Sequence, residues 1–459
     1  MGPRKESVVF FHPDLGIGGA ERLVIDAAVG LQNRGHKVTI FTSHCDPKHC
    51  FPEASDGTLD VRVRGNTIVP PNILGRLSIF CAILRQLHLI LSIAVFTSEL
   101  KNLEPTRFLV DQLSAGIPLL RILSPRARIL FYCHFPDKLL AHKGGLLKTI
   151  YRLPFDWLES WSTGCSDGIV VNSKFTKSVF YEAFPRLDWV DARVVYPCVD
   201  VKEAEKQTEE ERLWKGMKIF ISINRFERKK DAGLAIRAYA GLPKEQRENT
   251  RLVIAGGYDP RIAENVSYLT ELQALADSLG LSHATAKTVM TALAIPNDIS
   301  VLFCPSITNT FKSALLHSAS LLIYTPRNEH FGIVPLEAML AGVPVLAANE
   351  GGPTETVLEG KTGWLRDVTK PDEWTSVMKK FLDGTLDDKQ INDMGENGKK
   401  RVKDMFSKDK MSSSFEEELK RLEDKPRKSV VDPVVWMFLI SLIPAYLAVL
   451  YMLFVKNMG

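Results

Sequence analysis

The feature that most constrains the fold is an alternation of short apolar, β-branched runs with helix-like segments, which occurs twice along the chain. This alternation is typical of a doubly wound parallel sheet, whose strands are buried on both faces and therefore read as continuous apolar runs. The predicted strands of the first series are Val8–Phe11, Val38–Phe41, Phe108–Val110, Ile129–Tyr132, Ile169–Val171 and Val194–Tyr196. Those of the second series are Ile219–Ile223, Leu252–Ala255, Val301–Phe303, Leu321–Tyr324 and Val343–Ala347.

A charged, strand-poor stretch from Val201 to Gly216 separates the two series. We therefore predict an α/β protein with a Rossmann-like domain over residues 1–200, a linker over 201–216 and a second Rossmann-like domain over 217–425. A length of 459 residues is consistent with two or three domains. Ligands of open α/β sheets bind beyond the carboxyl ends of the strands, so we expect the two domains to face a shared cleft.

Composition excludes several classes of protein. With 45% hydrophobic and 24% charged residues, the chain is typical of a core-forming protein rather than a disordered one. Its 58 basic and 54 acidic residues are too evenly balanced to indicate nucleic acid as a general partner. The seven cysteines form no C-x-x-C pair and are odd in number, so neither a disulfide framework nor a structural zinc site is indicated. Reduced thiols in contact with cytosol fit best.

The chain has one strong candidate for a membrane anchor. No charged residue occurs from Val434 to Val455, a stretch long enough as a helix to cross a hydrocarbon core of about 30 Å. More cations precede the stretch than follow it, so the positive-inside tendency places the large N-terminal part in the cytosol. Pro444 also allows a kink or a re-entrant hairpin, and a buried core helix is the remaining alternative.

A second apolar segment, Leu77–Phe96, is interrupted by polar residues. At about 100° per residue these fall on one narrow stripe. The stripe consists of Ser78, Arg85, His88 and Ser92. This pattern favours a helix that lies at the membrane surface over one that spans the membrane, because a charged arginine at the bilayer centre is costly. An ordinary domain helix with one polar stripe is an equal alternative.

Two polar motifs in the second half predict a site for a sugar joined to a diphosphate. Arg225 and Lys230 offer a planar guanidinium and a mobile ammonium group, both suited to phosphate oxygens. About a hundred residues later, Glu329 and Glu337 offer carboxylates that can accept hydrogen bonds from hydroxyls or stabilise positive charge at an anomeric carbon. The simpler reading of each is a solvated charge, or a carboxylate that interacts with the start of its own helix. The combination is more specific than either motif alone.

The first half adds two weaker candidates. Gly18 and Gly19 follow the first predicted strand and precede a helix, where a small residue lets backbone N–H groups approach a phosphate or a sugar. The motif lacks the last glycine of a dinucleotide fingerprint, and a tight turn without a ligand is the alternative. His134 follows the predicted strand Ile129–Tyr132 closely and can exchange hydrogen bonds with a sugar hydroxyl. A purely structural histidine is the alternative there.

Together these motifs resemble those of the retaining nucleotide-sugar glycosyltransferases of the GT-B architecture. Within that group the chain is similar, over roughly residues 7–405, to the eukaryotic mannosyltransferases that add the second and third mannoses to the dolichol-linked oligosaccharide. The runs that carry the closer resemblance begin at His12, Phe131, Asn224, Ala255 and Tyr324.

The resemblance implies a mechanism and a place of action. The donor would be GDP-mannose, the acceptor a dolichyl-diphosphate oligosaccharide, and the linkages α-1,3 and then α-1,6. Glu329, His134, Arg225 and Lys230 would be catalytic. The donor-binding residues would be Gly18, Gly19, Arg225, Lys230, His330, Phe331, Gly332, Glu337 and Gly352. The protein would lie at the endoplasmic reticulum membrane with its catalytic domains facing the cytosol, and other glycosyltransferases of the pathway would be partners.

No D-x-D motif occurs in the chain, so we expect no metal site, no cofactor and no essential divalent metal. Two segments depart from the family pattern, Leu91–Leu103 and Leu281–Ser300. Three alternatives remain open at this level: a transferase of the same architecture with another donor or lipid acceptor, a non-catalytic membrane scaffold of the same fold, and a nucleotide-sugar epimerase that uses this architecture.

Overall fold

The structure is a computed structural model that describes residues 6–73, 77–140, 146–201 and 212–426, together with Met437, Ile440 and Pro444. The chain divides into two compact units. Unit 1 comprises residues 1–196 and 408–459, and unit 2 comprises residues 197–407.

Unit 1 contains a seven-stranded sheet in the order β3-β2-β1-β4-β5-β6-β7, with every neighbouring pair parallel. Its strands are β1 (Ser7–Leu15), β2 (Lys37–Cys45), β3 (Asp60–Val63), β4 (Arg107–Asp111), β5 (Arg128–Cys133), β6 (Gly168–Val171) and β7 (Arg193–Val194). Its helices are α1 (Gly19–Asn33), α2 (Ser78–Leu91), α3 (Glu99–Leu103), α4 (Ile117–Leu123), α5 (Asp137–Leu140), α6 (Leu146–Gly164) and α7 (Lys174–Ala183). The strand order reverses between β1 and β4, the switch point of a Rossmann-like sheet.

Unit 2 repeats this architecture with a second seven-stranded parallel sheet, in the order β10-β11-β9-β8-β12-β13-β14. Its strands are β8 (Lys218–Ile223), β9 (Thr250–Gly256), β10 (His283–Thr285), β11 (Val301–Pro305), β12 (Leu321–Tyr324), β13 (Val345–Ala348) and β14 (Gly363–Arg366). Its helices are α8 (Ala232–Ala240), α9 (Lys244–Arg247), α10 (Ala263–Ser278), α11 (Val289–Leu293), α12 (Asn309–Ser318), α13 (Val334–Leu340), α14 (Pro353–Thr356), α15 (Pro371–Lys380) and α16 (Asp388–Met405). Here the switch point lies between β8 and β12.

The predicted strands are confirmed, and each unit has its own apolar core. In unit 1, the ring of Phe11 packs within 6 Å of the rings of Phe41 and Phe108 in one core cluster. In unit 2, the fully buried Trp374 belongs to the core that β8, β9 and β12 build with the flanking helices. Strands that are buried on both faces explain why the sequence shows continuous apolar runs.

The boundary near residue 425 differs from the prediction, because the last described helix belongs to unit 1. Helix α17 (Lys408–Arg421) packs against α1 so closely that Ser412 leaves no room for a side chain at Gly30. Arg34 Nε donates to Glu416 Oε2 over 2.8 Å. Beyond the helix, Arg128 donates to the carbonyl of Lys425 over 2.6 Å, at the amino-terminal edge of the first sheet. These contacts hold the chain on unit 1 up to the end of the described region.

The helix predicted for Leu77–Phe96 exists; Ser78 of its polar stripe is exposed, but Arg85 and His88 contact other parts of unit 1. Arg85 donates to the carbonyl of Ser43 over 3.1 Å, and His88 exchanges a hydrogen bond with Thr67 over 3.2 Å. Helix α2 continues as a π-helical turn over Ser92–Phe96. Together, Ser78–Phe96 form the one helix among the described residues that is long and apolar enough to cross a membrane; over an 18-residue stretch its mean hydropathy is 2.1 and half of the residues are buried. The central part of the stripe, Arg85 and His88, therefore forms hydrogen bonds inside unit 1. Membrane contact of this segment stays a prediction.

The segment Leu281–Ser300, which departs from the family pattern, is ordered by local contacts. Within Leu281–Ser300, Thr288 and Thr291 form a reciprocal capping box at the start of α11. The buried Arg251 guanidinium donates to the carbonyls of Pro296 and Ile299 over 2.5 and 3.1 Å. These bonds fasten the segment to β9. Most of the predicted anchor, 434–455, and most of the predicted linker, 201–216, lie outside the described residues, and both stay predictions.

Candidate functional site

The charged motifs of unit 2 lie beyond the carboxyl ends of β8 and β12, the two strands at the switch point. Lys230 lies in the segment that follows β8, and Glu329 lies in the loop after β12. Lys230 Nζ is 2.5 Å from Glu329 Oε2. The Thr325 hydroxyl donates to the Lys230 carbonyl over 2.7 Å, which ties the two loops together. The structure therefore brings together the predicted cation and the predicted carboxylate.

Arg225 lies nearby in the chain but makes a different contact. Its guanidinium is 3.6 Å from Glu227 and its side chain is 66% exposed. The loop around it is fixed by the backbone, since the Phe226 N–H donates to the Gly257 carbonyl over 2.9 Å. A side chain at Gly256, whose φ is +140°, would collide with the Asn224 carbonyl. The loop is therefore rigid while the guanidinium is accessible to an anion.

The backbone around Glu329 is held by two glycines. The Gly352 N–H donates to the Glu329 carbonyl over 2.7 Å. A Cβ at Gly352 would lie 2.2 Å from the Phe331 carbonyl oxygen, and one at Gly351 would lie 2.6 Å from the Glu329 carbonyl oxygen. Only glycine permits this approach, so Gly352 positions the loop that carries Glu329, and its predicted contact with the donor stays a prediction.

Three other predicted donor residues occupy distinct surroundings. Gly332 has φ +85° and packs against the ring of Tyr324. His330 is half-buried. The Phe331 side chain is only 3% exposed and packs against Phe406 inside unit 2, so any contact between Phe331 and a donor would use its backbone.

Glu337 has a partner that the sequence analysis missed. It lies in the first turn of α13, which has Pro335 at its start as predicted. Its carboxylate accepts a hydrogen bond from Lys312 Nζ of α12 over 2.7 Å. Nothing in the sequence around Lys312 distinguishes it from an ordinary surface lysine. The buried Tyr324 lies beside both glutamates, and its pKa is raised well above the usual value by burial and by the charges of Glu329 and Glu337.

His134 of unit 1 belongs to a buried cluster at the other switch point. Its Nε2 is 2.6 Å from Asp111 Oδ1, and the opposite oxygen of Asp111 is 2.7 Å from His12 Nδ1. The pKa of Asp111 is lowered to about 2: burial opposes this shift, but the neighbouring histidines outweigh it. Burial also opposes the shift of His12, whose pKa is nevertheless raised by Asp111 and Glu21. Asp111 and His12 were missed as site residues, although each comes directly after a predicted strand.

Gly18 and Gly19 lie at the start of α1, as predicted. A side chain at Gly19 would meet open space, whereas one at Gly18 would meet the Glu21 carboxylate. Glu21 Oε1 is also 4.0 Å from His12 Nε2. Because this carboxylate lies at the turn, local charge favours a hydroxyl over a phosphate there. Among the residues that the structure describes, no group of three or more His, Cys, Asp or Glu side chains is arranged to hold a metal ion.

Comparisons with known proteins agree with these observations. Residues 203–401 match the model of "Glycosyl transferases group 1", and residues 17–203 match "Glycosyltransferase Family 4". The chain is 57% identical over 429 residues to the alpha-1,3/1,6-mannosyltransferase alg-2 of Neurospora crassa, with 91% of each chain covered. It is 46% identical over 443 residues to the alpha-1,3/1,6-mannosyltransferase ALG2 of Saccharomyces cerevisiae, covering 92% of this chain and 86% of that relative.

Solved structures show the same fold. Sucrose-phosphate synthase from Thermosynechococcus elongatus aligns with a TM-score of 0.67 at 17% identity, covering 92% of this chain and 99% of that one. Two Rossmann-like parallel sheets, the two family matches and this likeness together indicate the GT-B fold. The chain belongs to the family of the alpha-1,3/1,6-mannosyltransferases.

Proposed function

We propose that this protein transfers mannose from GDP-mannose to a dolichyl-diphosphate oligosaccharide, making an α-1,3 and then an α-1,6 linkage. The observation that carries the proposal is the 57% identity to a relative named for that pair of linkages. The geometry of unit 2 supports it, since Lys230 and Glu329 lie together at a switch point, where Rossmann-like sheets bind ligands.

In this proposal unit 2 binds the donor. Lys230 and the accessible guanidinium of Arg225 supply positive charge for the departing diphosphate, so we expect transfer without a divalent metal. Glu337, which is paired with Lys312, would accept hydrogen bonds from ribose hydroxyls, and Glu329 would accept them from the mannose. Gly18, Gly19, Gly332, Gly352 and the backbone near His330 and Phe331 would shape the surrounding loops.

His134 and Glu329 would organise the mannose as its anomeric carbon becomes cationic. Groups that stabilise the charge that develops in the transition state accelerate the reaction, whereas groups that bind the substrate and the transition state equally well do not raise kcat. No carboxylate can be assigned as a covalent nucleophile, so we propose that retention proceeds by attack of the acceptor on the face from which the diphosphate departs.

A direct test of the donor site compares two adjacent lysines. Lys229 and Lys230 differ by one position, but Lys229 is 72% exposed and pairs with Glu227 rather than with Glu329. A charge-assisted bond is worth about 1.5–3 kcal/mol, so Lys230→Ala should weaken GDP-mannose binding by about tenfold or more. Lys229→Ala should leave binding within about twofold, measured by calorimetry on the full chain. Equal effects of the two substitutions would remove Lys230 from the donor site.

A lipid-linked acceptor requires contact with a membrane, and unit 1 offers a surface for it. Five large apolar side chains of α5 and α6 are between 46% and 61% exposed. They are Leu139, Leu140, Ile150, Leu153 and Trp157, here called the apolar face. The last three follow the i, i+3, i+7 spacing of one helix side. Exposed aliphatic side chains beside a tryptophan are typical of surfaces that enter the lipid interface.

We propose that the apolar face contacts the cytosolic leaflet of the endoplasmic reticulum, with residues 434–455 as an additional anchor. The seven cysteines are all free thiols, which supports a reducing compartment. Other glycosyltransferases of the pathway would act on the same membrane and are proposed partners.

The membrane proposal is testable with matched variants of the full chain in vesicles. Replacing Ile150, Leu153 and Trp157 by glutamine should raise the KM for a long-chain lipid acceptor severalfold, but not the KM for a short-chain, water-soluble acceptor. The control replaces Met290 and Leu293 of unit 2, which are 77% and 46% exposed, by glutamine. If both sets of substitutions have the same effect, the apolar face has no special role.

A further inference from the structure

We propose that Asp111 is a positioning residue for mannosyl transfer: its carboxylate is shared between His12 and His134 and fixes the orientation of the His134 ring. The inference rests on the proposed function, because His134 is there the residue that acts on the sugar. It adds a feature that the sequence did not reveal, namely one buried carboxylate that contacts two histidines.

Sheet register places the three residues side by side. Phe11 of β1 pairs with Val110 of β4, and Asp111 of β4 pairs with Tyr132 of β5. His12 is therefore level with Asp111 on the neighbouring strand β1. His134 comes two residues after Tyr132, just past the end of β5. The switch point between β1 and β4 thus fixes the spacing of the cluster through the backbone.

The contacts use both oxygens of the carboxylate. Asp111 is completely buried, with Oδ2 2.7 Å from His12 Nδ1 and Oδ1 2.6 Å from His134 Nε2. Because Nε2 of His134 faces Asp111, Nδ1 is the nitrogen left for another partner. The His134 side chain is 19% exposed, whereas that of His12 is only 1% exposed. His12 is therefore the internal support, and His134 is the member of the cluster that a ligand can reach.

Stability alone is a poor explanation for this arrangement. Burying a carboxylate costs several kcal/mol unless its partners compensate, and a buried ion pair is often no more stable than apolar residues of similar size. Asp111 gains two imidazole partners, and Glu21 adds a second negative charge near His12. The other titratable groups nearest the cluster are the buried Cys133 thiol and Tyr132, whose ring lies 4.7 Å from that of His134. A carboxylate beside an imidazole fixes the orientation of the ring and determines which ring nitrogen carries the proton.

The test is Asp111→Asn in the full chain, which keeps the size of the side chain and removes its charge. We expect kcat for transfer from GDP-mannose to fall by about tenfold or more, while the KM for GDP-mannose stays within about twofold, because other residues bind the diphosphate.

Asp167 provides a matched control. It is a buried aspartate of the same unit, ion-paired with Arg121 over 2.9 Å at the amino-terminal edge of the sheet. Asp167→Asn should lower the thermal unfolding temperature and leave kcat per folded molecule unchanged. If Asp111→Asn behaves like Asp167→Asn, Asp111 is merely structural and the inference is overturned.

A second readout separates this inference from the proposed function. Nitrogen-15 NMR of the imidazoles, with His134 assigned by His134→Gln, reports which ring nitrogen carries the proton. We expect the Nε2–H form in the unmodified protein and its loss in Asp111→Asn. A protein that shows this change but transfers no mannose would refute the proposed function and retain the positioning role. An unchanged His134 signal, in a protein that does transfer mannose, would refute the positioning role alone.

Discussion

Lys230 Nζ lies 2.5 Å from Glu329 Oε2, so the cation and the carboxylate assigned to the donor are each other's partners. A donor that places a phosphate beside Lys230 and a sugar beside Glu329 would interact with both members of one ion pair. The two residues should therefore be coupled in function and not independent.

Removal of the Glu329 charge should impair catalysis more than folding. Glu329→Gln keeps the side-chain shape, and an ion pair with some solvent exposure contributes about 0–1 kcal/mol to stability. We expect kcat to fall by at least about tenfold with a nearly unchanged unfolding temperature. Glu350→Gln is the control, since Glu350 forms a surface pair with Arg327 over 3.0 Å. A normal kcat for Glu329→Gln would exclude a catalytic role.

Lys312 should contribute to donor binding because its ammonium group donates a hydrogen bond to Glu337. Lys312→Met removes the ammonium group that donates to Glu337 over 2.7 Å while keeping most of the side-chain length. We expect the KM for the donor to rise by about three- to tenfold, since one charge-assisted bond is lost. Lys312→Arg should recover most of the affinity. Steady-state kinetics with varied donor concentration would show this, and an unaffected KM in Lys312→Met would contradict it.

Gly352 and Gly19 should respond differently to the same added methyl group. A Cβ at Gly352 would lie 2.2 Å from the Phe331 carbonyl oxygen, whereas one at Gly19 would meet nothing within 4 Å. Gly352→Ala should therefore displace the Glu329 loop and lower both the unfolding temperature and kcat. Gly19→Ala should leave the unfolding temperature unchanged. Similar unfolding temperatures for the two variants would contradict the described packing.

The stability of unit 1 should fall as pH rises from about 4.5 to 7, because of Glu159. Burial raises the pKa of its carboxyl group to about 7, even though the N–H groups of Asp137 and Lys138 donate to it over 2.6 and 3.0 Å. The folded protein then binds more protons than the unfolded chain in that range, so raising the pH costs stability, on the order of 2 kcal/mol. Glu159→Gln should flatten this dependence in thermal unfolding measured from pH 5 to 8. An unchanged slope would contradict the raised pKa.

Burial explains which strands could be predicted from the sequence and which were missed. Interior parallel strands such as β8 and β9 are buried on both faces and read as apolar runs. The three missed strands, β3, β10 and β14, are all edge strands. Asp60–Val63, for example, is largely half-exposed and mixes charged with apolar residues, so it carries no comparable signal.

The site shows a similar limit. Lys230 and Glu329 were predicted from their motifs, and the structure brings them together. Asp111 and Lys312 were missed because their roles depend on partners 23 and 25 residues away, contacts that only the folded chain creates. In the same way, the periodicity of Leu77–Phe96 predicted which residues share a face, but not that Ser43 and Thr67 would meet that face.

The most direct test of the central claim is a product analysis. The full protein would be incubated with GDP-mannose and a synthetic lipid diphosphate that carries two N-acetylglucosamines and one mannose, and the products would be resolved by mass and by linkage-specific mannosidases. We predict two added mannoses, one α-1,3 and one α-1,6, and neither in Lys230→Ala at the same enzyme concentration. Transfer only from another nucleotide sugar, or no transfer to any donor and acceptor pair, would contradict the proposed reaction.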